Sequence, residues 1–101
     1  MRKTDLIVLA MLPLVPLVPQ PAPAQVAICA PTGEIVAAAV EARKSGQPAA
    51  TAMQEIAAGL EGAQAGFAPA VQPLVDWVYE LPETDLQKDV AGAWVTQCEA
   101  Q

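Results

Sequence analysis

Two pairs of carboxylates have the types and spacing that come closest to catalytic chemistry. Asp76 and Glu80 lie four residues apart, as do Asp85 and Asp89, so each pair would fall on one face of a helix. Paired carboxylates can act as general acid and base or bind a hard cation. No complementary ligand cluster accompanies either pair, which also fits a solvated acidic face. We therefore predict no catalytic residue and no metal ligand, with a carboxylate-dependent hydrolase as the alternative.

Other common catalytic groups are missing from the sequence. The chain contains no histidine and no asparagine, and Ser45 is its only serine. A Ser–His or Cys–His nucleophile pair is therefore excluded, and so is a zinc site built from histidine and cysteine. No glycine-rich phosphate loop follows a strand pattern. We expect a protein without a cofactor and without enzymatic activity.

The first 24 residues have the pattern of a secretory signal peptide. Arg2 and Lys3 give a positive start, an apolar run begins at Leu6, and Ala22-Pro23-Ala24 is a small-residue cleavage site. A transmembrane anchor is the alternative, but the run is short and prolines interrupt it. We expect cleavage after Ala24, a mature domain of residues 25–101 without a membrane anchor, and a periplasmic or secreted location.

The mature domain would be acidic. Without residues 1–24 the chain keeps three basic and ten acidic residues, a net charge of −7. Nucleic acids and anionic lipids are bound mainly through lysine and arginine. We therefore expect neither as a partner.

The only two cysteines are Cys29 and Cys98, and they predict a disulfide. Paired cysteines are typical of small exported domains, whose cores are thin. Lipidation of Cys29 is the alternative, but it needs a small residue before the cysteine, where this chain has Ile28. The predicted bond would join the start of the first helix to the end of the last.

Apolar spacing predicts an all-α fold, a small bundle of about four short helices stapled by that disulfide. Residues recurring at intervals of three and four indicate helices near 34–44, 48–60 and 67–81, and strand alternation is absent. Residues 30–33 are expected to form a turn, with Gly46 as a left-handed C-cap. The last helix is expected to span residues 84–98 and to begin with a Thr84–Gln87 capping box.

Three aromatic residues are candidates for core packing or partner binding. Trp77 and Trp94 flank apolar stripes, which favours packing in the core over a ligand platform. Trp77 and Tyr79 face different sides of a helix, so at least one should lie near the surface. We select Tyr79, with Trp77 beside it, as the candidate partner-binding residue. A tyrosine half-buried at the domain edge is the alternative.

Three short stretches resemble a group of small exported proteins of proteobacteria and their phages. They are residues 42–48, which contain an Ala-Arg-x-x-Gly turn, residues 74–82, which end in Tyr-Glu-x-Pro, and residues 94–98, an aromatic-x-x-x-Cys. The likeness covers most of the mature chain. The group also shares the signal peptide and the early cysteine. The resemblance supports fold and compartment, because the group has no established biochemical role.

Together these features favour an exported, non-enzymatic protein. The leading hypothesis is a periplasmic binding or regulatory module with an unknown protein partner, acting through an apolar groove between helices. Toxin-neutralising and envelope-stress proteins belong to this class. The alternatives are the carboxylate-dependent hydrolase and an acid-protective periplasmic chaperone. The scarcity of basic residues disfavours the chaperone, because few positive charges would remain at low pH.

Overall fold

The structure is a computed structural model that describes residues 23–101. The predicted signal peptide therefore lies, except for Pro23 and Ala24, outside the described residues. The described chain forms four α-helices: α1 (Pro23–Lys44), α2 (Ala49–Gly59), α3 (Ala68–Glu80) and α4 (Val90–Glu99). Short 3₁₀ segments, Gly62–Phe67 and Glu83–Gln87, precede α3 and α4. The predicted all-α bundle of four helices with one disulfide is confirmed.

Helix α1 is longer than its sequence pattern predicts. The predicted turn at residues 30–33 is wrong, because the helix continues through Pro31 and Gly33 to Lys44. Proline lacks the main-chain donor that would bond the carbonyl of Ala27, but Ala27 is exposed to solvent. The next residue, Thr32, is buried, and its hydroxyl donates a 2.8 Å hydrogen bond to the Ile28 carbonyl. Gly33 is buried where α1 packs closely on α4. Packing between distant segments therefore overrides two local breaking signals.

The connection between α1 and α2 agrees with the sequence prediction. Gly46 has a φ of 84°, the left-handed conformation that favours glycine. The Gly46 and Gln47 amides donate hydrogen bonds to the carbonyls of Arg43 and Ala42, which closes the end of α1 as a Schellman motif. Pro48 then caps α2. The two helices are thereby held as a hairpin.

The closing segment differs from the predicted single helix. Residues 83–87 form a 3₁₀ turn, Lys88 is extended, and α4 begins only at Val90. The predicted Thr84–Gln87 capping box is therefore wrong. Asp89 is the actual N-cap, and its side chain accepts a 2.9 Å hydrogen bond from the Gly92 amide. Leu86 and Val90 are nevertheless buried, because this break keeps both on the core side.

Helix α1 lies at the centre of the bundle and contacts all three other helices. Val36 of α1 is fully buried with Val75 and Val78 of α3. The predicted α3 seam at residues 67, 71, 74, 78 and 81 does line the core, but it omitted Val75. Pro73 lies inside α3 and is exposed, so the helix tolerates it on its solvent side.

Candidate functional site

The disulfide between Cys29 and Cys98 joins α1 to the end of α4, as predicted. The two Cα atoms lie 5.6 Å apart, and Cys29 is fully buried. No free cysteine remains in the described part of the chain. The bond therefore fixes both ends of the described domain to one another.

The two tryptophans pack against each other next to α1. Their ring centroids lie 5.6 Å apart with the planes tilted by 51°. The indole N–H of Trp94 donates a 2.8 Å hydrogen bond to the hydroxyl of Thr32. Trp94 is thus held by the fold, whereas Trp77 remains 37% exposed.

Trp77 borders a small apolar hollow between α3 and α4. The hollow has a volume of about 180 Å³, and its other apolar walls are Leu81, Val90 and Ala93. This space fits a single side chain better than a segment of a partner. The predicted role of Trp77 as a partner contact stays a prediction.

Tyr79 is half-buried at the edge of the domain and packs against the core. Its hydroxyl donates a 2.8 Å hydrogen bond to the main-chain carbonyl of Gln47 in the α1–α2 turn. Burial raises the pKa of the Tyr79 phenol, and the positive charge of Arg43 opposes that rise. This geometry matches the half-buried alternative, so the ring has a structural role whether or not it also binds a partner.

Arg43 makes a contact that no pattern in the sequence predicts. Its guanidinium donates hydrogen bonds to the main-chain carbonyls of Val78 at 2.7 Å and Leu81 at 2.6 Å. These carbonyls lie at the C-terminal end of α3, where a positive charge is favourable, and the Val78 carbonyl also accepts a 3.2 Å hydrogen bond from the Leu81 amide. Arg43 therefore links the turn at residues 42–46 to the helix end at residues 79–82.

The candidate carboxylates do not form a common cluster. Asp76 and Glu80 are both exposed on α3. Asp85 and Asp89 do not share a helical face, because one lies in the 3₁₀ turn and the other caps α4; that prediction is wrong. Asp85 instead pairs with Lys88 at 3.1 Å. In the described chain, no three acidic or cysteine side chains come close enough to hold a metal ion.

A broad concave surface on the described residues lies between α1 and α2. Its volume is about 480 Å³, and one end reaches Gln64 in the first 3₁₀ segment. The apolar lining is contributed by both helices and consists mainly of small or aliphatic side chains: Ile35, Ala38, Ala42, Ala52, Ile56 and Leu60. We call this surface the α1–α2 groove. The sequence predicts an apolar groove between helices but not which helices form it.

Three glutamates stand along the α1–α2 groove. Glu34 and Glu41 come from α1 and Glu55 from α2, and all three are exposed. Gln64 donates a 2.8 Å hydrogen bond to Glu34, and Gln47 donates a 3.2 Å hydrogen bond to Glu55. The groove therefore combines an apolar floor with an acidic rim.

Comparisons with known proteins do not assign this site. No protein-family model matches the chain, and no curated protein or solved structure is significantly similar to it. Among the helices that the structure describes, none is long and apolar enough to span a membrane.

Proposed function

We propose that this protein is a small exported binding module that holds a segment of another exported protein in the α1–α2 groove. The groove itself is the observation that carries the proposal. It is concave and largely apolar, with polar groups at its rim, as expected of a binding site. Half-buried Ile56 and Leu60 supply apolar surface that a partner could cover.

Export is supported by two independent features. The first residues have the charged start, apolar run and small-residue cleavage site of a signal peptide. The domain also contains a disulfide, which forms and persists in oxidising compartments such as the periplasm. The partner would share that compartment. Neutralising or regulating another exported protein is a role that fits such a module.

Site-specific photo-cross-linking tests the proposal. A photo-reactive phenylalanine analogue replaces Ala38, which is exposed in the groove, or Gln72, which is exposed on α3 outside it. Both variants are expressed with the complete leader in a bacterium that exports the protein. We expect a discrete protein adduct from position 38 and none from position 72.

Two outcomes would count against a groove-binding module. One is the same set of adducts from both positions, and the other is no adduct from position 38. The Asp76→Ala variant separates the hydrolase alternative. Loss of a measurable activity in this variant would support the hydrolase, whereas the adduct of a binding module should be unchanged, because Asp76 does not line the groove. Intact mass of the exported protein should correspond to a chain that begins at Gln25.

A further inference from the structure

We infer that the occupant of the α1–α2 groove is a cationic amphipathic helix, with an apolar stripe on the floor and lysine or arginine at the rim. This inference rests on the proposed function and names the chemistry of the partner. Three features of the groove support it: the shape of the floor, the charge of the rim and the poor fit of other occupants.

The floor fits a helix of about two turns. Glu34 and Glu41 lie seven residues apart on α1, so the rim between them is about 10 Å long, the rise of two helical turns. Ala38 and Ala42 keep the α1 wall low, while Ile56 of α2 and Leu60, just after its end, offer larger apolar contacts. An amphipathic helix binds such a groove through apolar residues at intervals of three and four.

The rim favours positive charge on the occupant. Glu34 and Glu55 accept hydrogen bonds only from neutral glutamine amides among the contacts we find. Glu41 has a cation nearby, Lys44 at 3.8 Å, but both side chains are largely exposed and the pair is weak. Three carboxylates therefore stand beside an apolar floor with one weakly held lysine. Lysine or arginine flanking the apolar stripe of a partner would complement them.

Other occupants fit less well. A second copy of this chain would bring the same acidic rim, and like charges across an interface are unfavourable. An anionic lipid surface would be repelled for the same reason. An extended peptide gains affinity by pairing with an open sheet edge, and the described residues form no strand.

The test uses a fluorescent, amphipathic synthetic peptide of about 14 residues, long enough to form a helix on binding. It contains leucines at helical spacing and lysines on the flanks. A second peptide replaces every lysine with glutamine, and a third scrambles the leucines. Binding to the disulfide-bonded mature protein is measured by fluorescence anisotropy at low and physiological salt. We expect saturable binding of the first peptide, weakened by salt, and much weaker binding of the other two.

Two triple variants with equal charge change locate the interaction. The first neutralises the rim and consists of Glu34→Gln, Glu41→Gln and Glu55→Gln. The second neutralises exposed carboxylates outside the groove and consists of Asp76→Asn, Glu80→Gln and Glu83→Gln. Three exposed ion pairs correspond to roughly a tenfold change in Kd, which we expect from the rim variant only. Far-UV circular dichroism and the melting temperature establish that each variant is folded.

Each contrary outcome has a distinct meaning. Equal weakening by both triple variants, or no saturable binding, overturns the inference, because then the rim is not the recognition element. A neutral peptide that binds as tightly as the cationic one also overturns it, although the groove would remain a binding surface. A protein that sediments as a dimer and excludes the peptide would identify a second copy as the occupant. The proposed function is tested separately, by whether the adduct forms from position 38 in cells.

Discussion

Arg43 donates a 2.6 Å hydrogen bond to the main-chain carbonyl of Leu81, which lies 38 residues further along the chain. The same guanidinium nitrogen also donates to the carbonyl of Val78 at 2.7 Å. One side chain from the end of α1 therefore satisfies two carbonyls at the end of α3, where the helix dipole is negative. Because Arg43 lies just before the α1–α2 turn, these two hydrogen bonds also help to fix the position at which α2 begins.

Replacing Arg43 with methionine should destabilise the protein. Arg43→Met keeps much of the apolar stem but leaves two carbonyls without their charged donor, a loss of about 2 kcal/mol in the free energy of unfolding. The neighbouring variant Lys44→Met removes the same charge from an exposed side chain, and its effect should stay within about 0.5 kcal/mol. Urea unfolding followed by circular dichroism compares the two. Equal losses would contradict the capping role.

Two glycine-to-alanine variants test the close packing of α1 on α4. A Cβ atom on Gly33 would lie 2.5 Å from Cγ2 of Val95, whereas one on Gly59 would meet nothing within 4 Å. Overpacking outweighs the better helix propensity of alanine, so Gly33→Ala should lower the free energy of unfolding by about 1 kcal/mol. Gly59→Ala should raise it by up to about 1 kcal/mol. Thermal unfolding of both variants distinguishes packing from propensity, and a stabilised Gly33→Ala would refute the close contact.

Tyr79 should make stability fall at high pH. Burial raises the pKa of its phenol in the folded state. The contribution of the protonated phenol to the free energy of unfolding is therefore fully present below the ordinary tyrosine pKa of about 10. It is lost as the pH rises through the raised value. Tyr79 is the only tyrosine in the chain, so phenolate absorbance reports this residue alone. We expect a higher titration midpoint in the folded protein than in the unfolded chain.

A matched variant separates Tyr79 from other groups that titrate at high pH. Tyr79→Phe keeps the ring and should abolish this component of the pH dependence. A folded-state midpoint at or below that of the unfolded chain would contradict burial of the phenol. The hydrogen bond to Gln47 also leads us to expect that Tyr79→Ala lowers the melting temperature.

Removing the disulfide should cost a large part of the stability. The Cys29–Cys98 bond closes a loop spanning 69 positions, worth about 4 kcal/mol through the entropy of the unfolded chain. The double variant Cys29→Ala/Cys98→Ala should unfold at much lower urea concentration than the oxidised wild type. Reducing agent should destabilise the wild type and leave the double variant unchanged. Two free thiols in the exported wild type, measured by mass spectrometry, would contradict the bond.

Local patterns in the sequence were sufficient to predict the all-α class of the fold. Apolar spacing identified four helices, because burying one face of a helix imposes a period close to 3.6 residues. Gly46 identified the end of α1, because few other residues adopt a positive φ without strain. Cys98 identified its partner by count alone, because Cys29 was the only other cysteine. For the candidate site, the sequence predicted only an apolar groove between helices and not the residues that line it.

Only the tertiary structure decided where helices continue, where they stop and which surface is concave. Thr32 and Trp94 are 62 residues apart, yet their contact lies where α1 continues through a predicted turn. Arg43 acts as a cap only because α3 ends beside it. The α1–α2 groove likewise depends on tertiary packing, because residues of both helices line it. Such features depend on packing between segments distant in sequence, whose free energies outweigh the small local propensities that a pattern records.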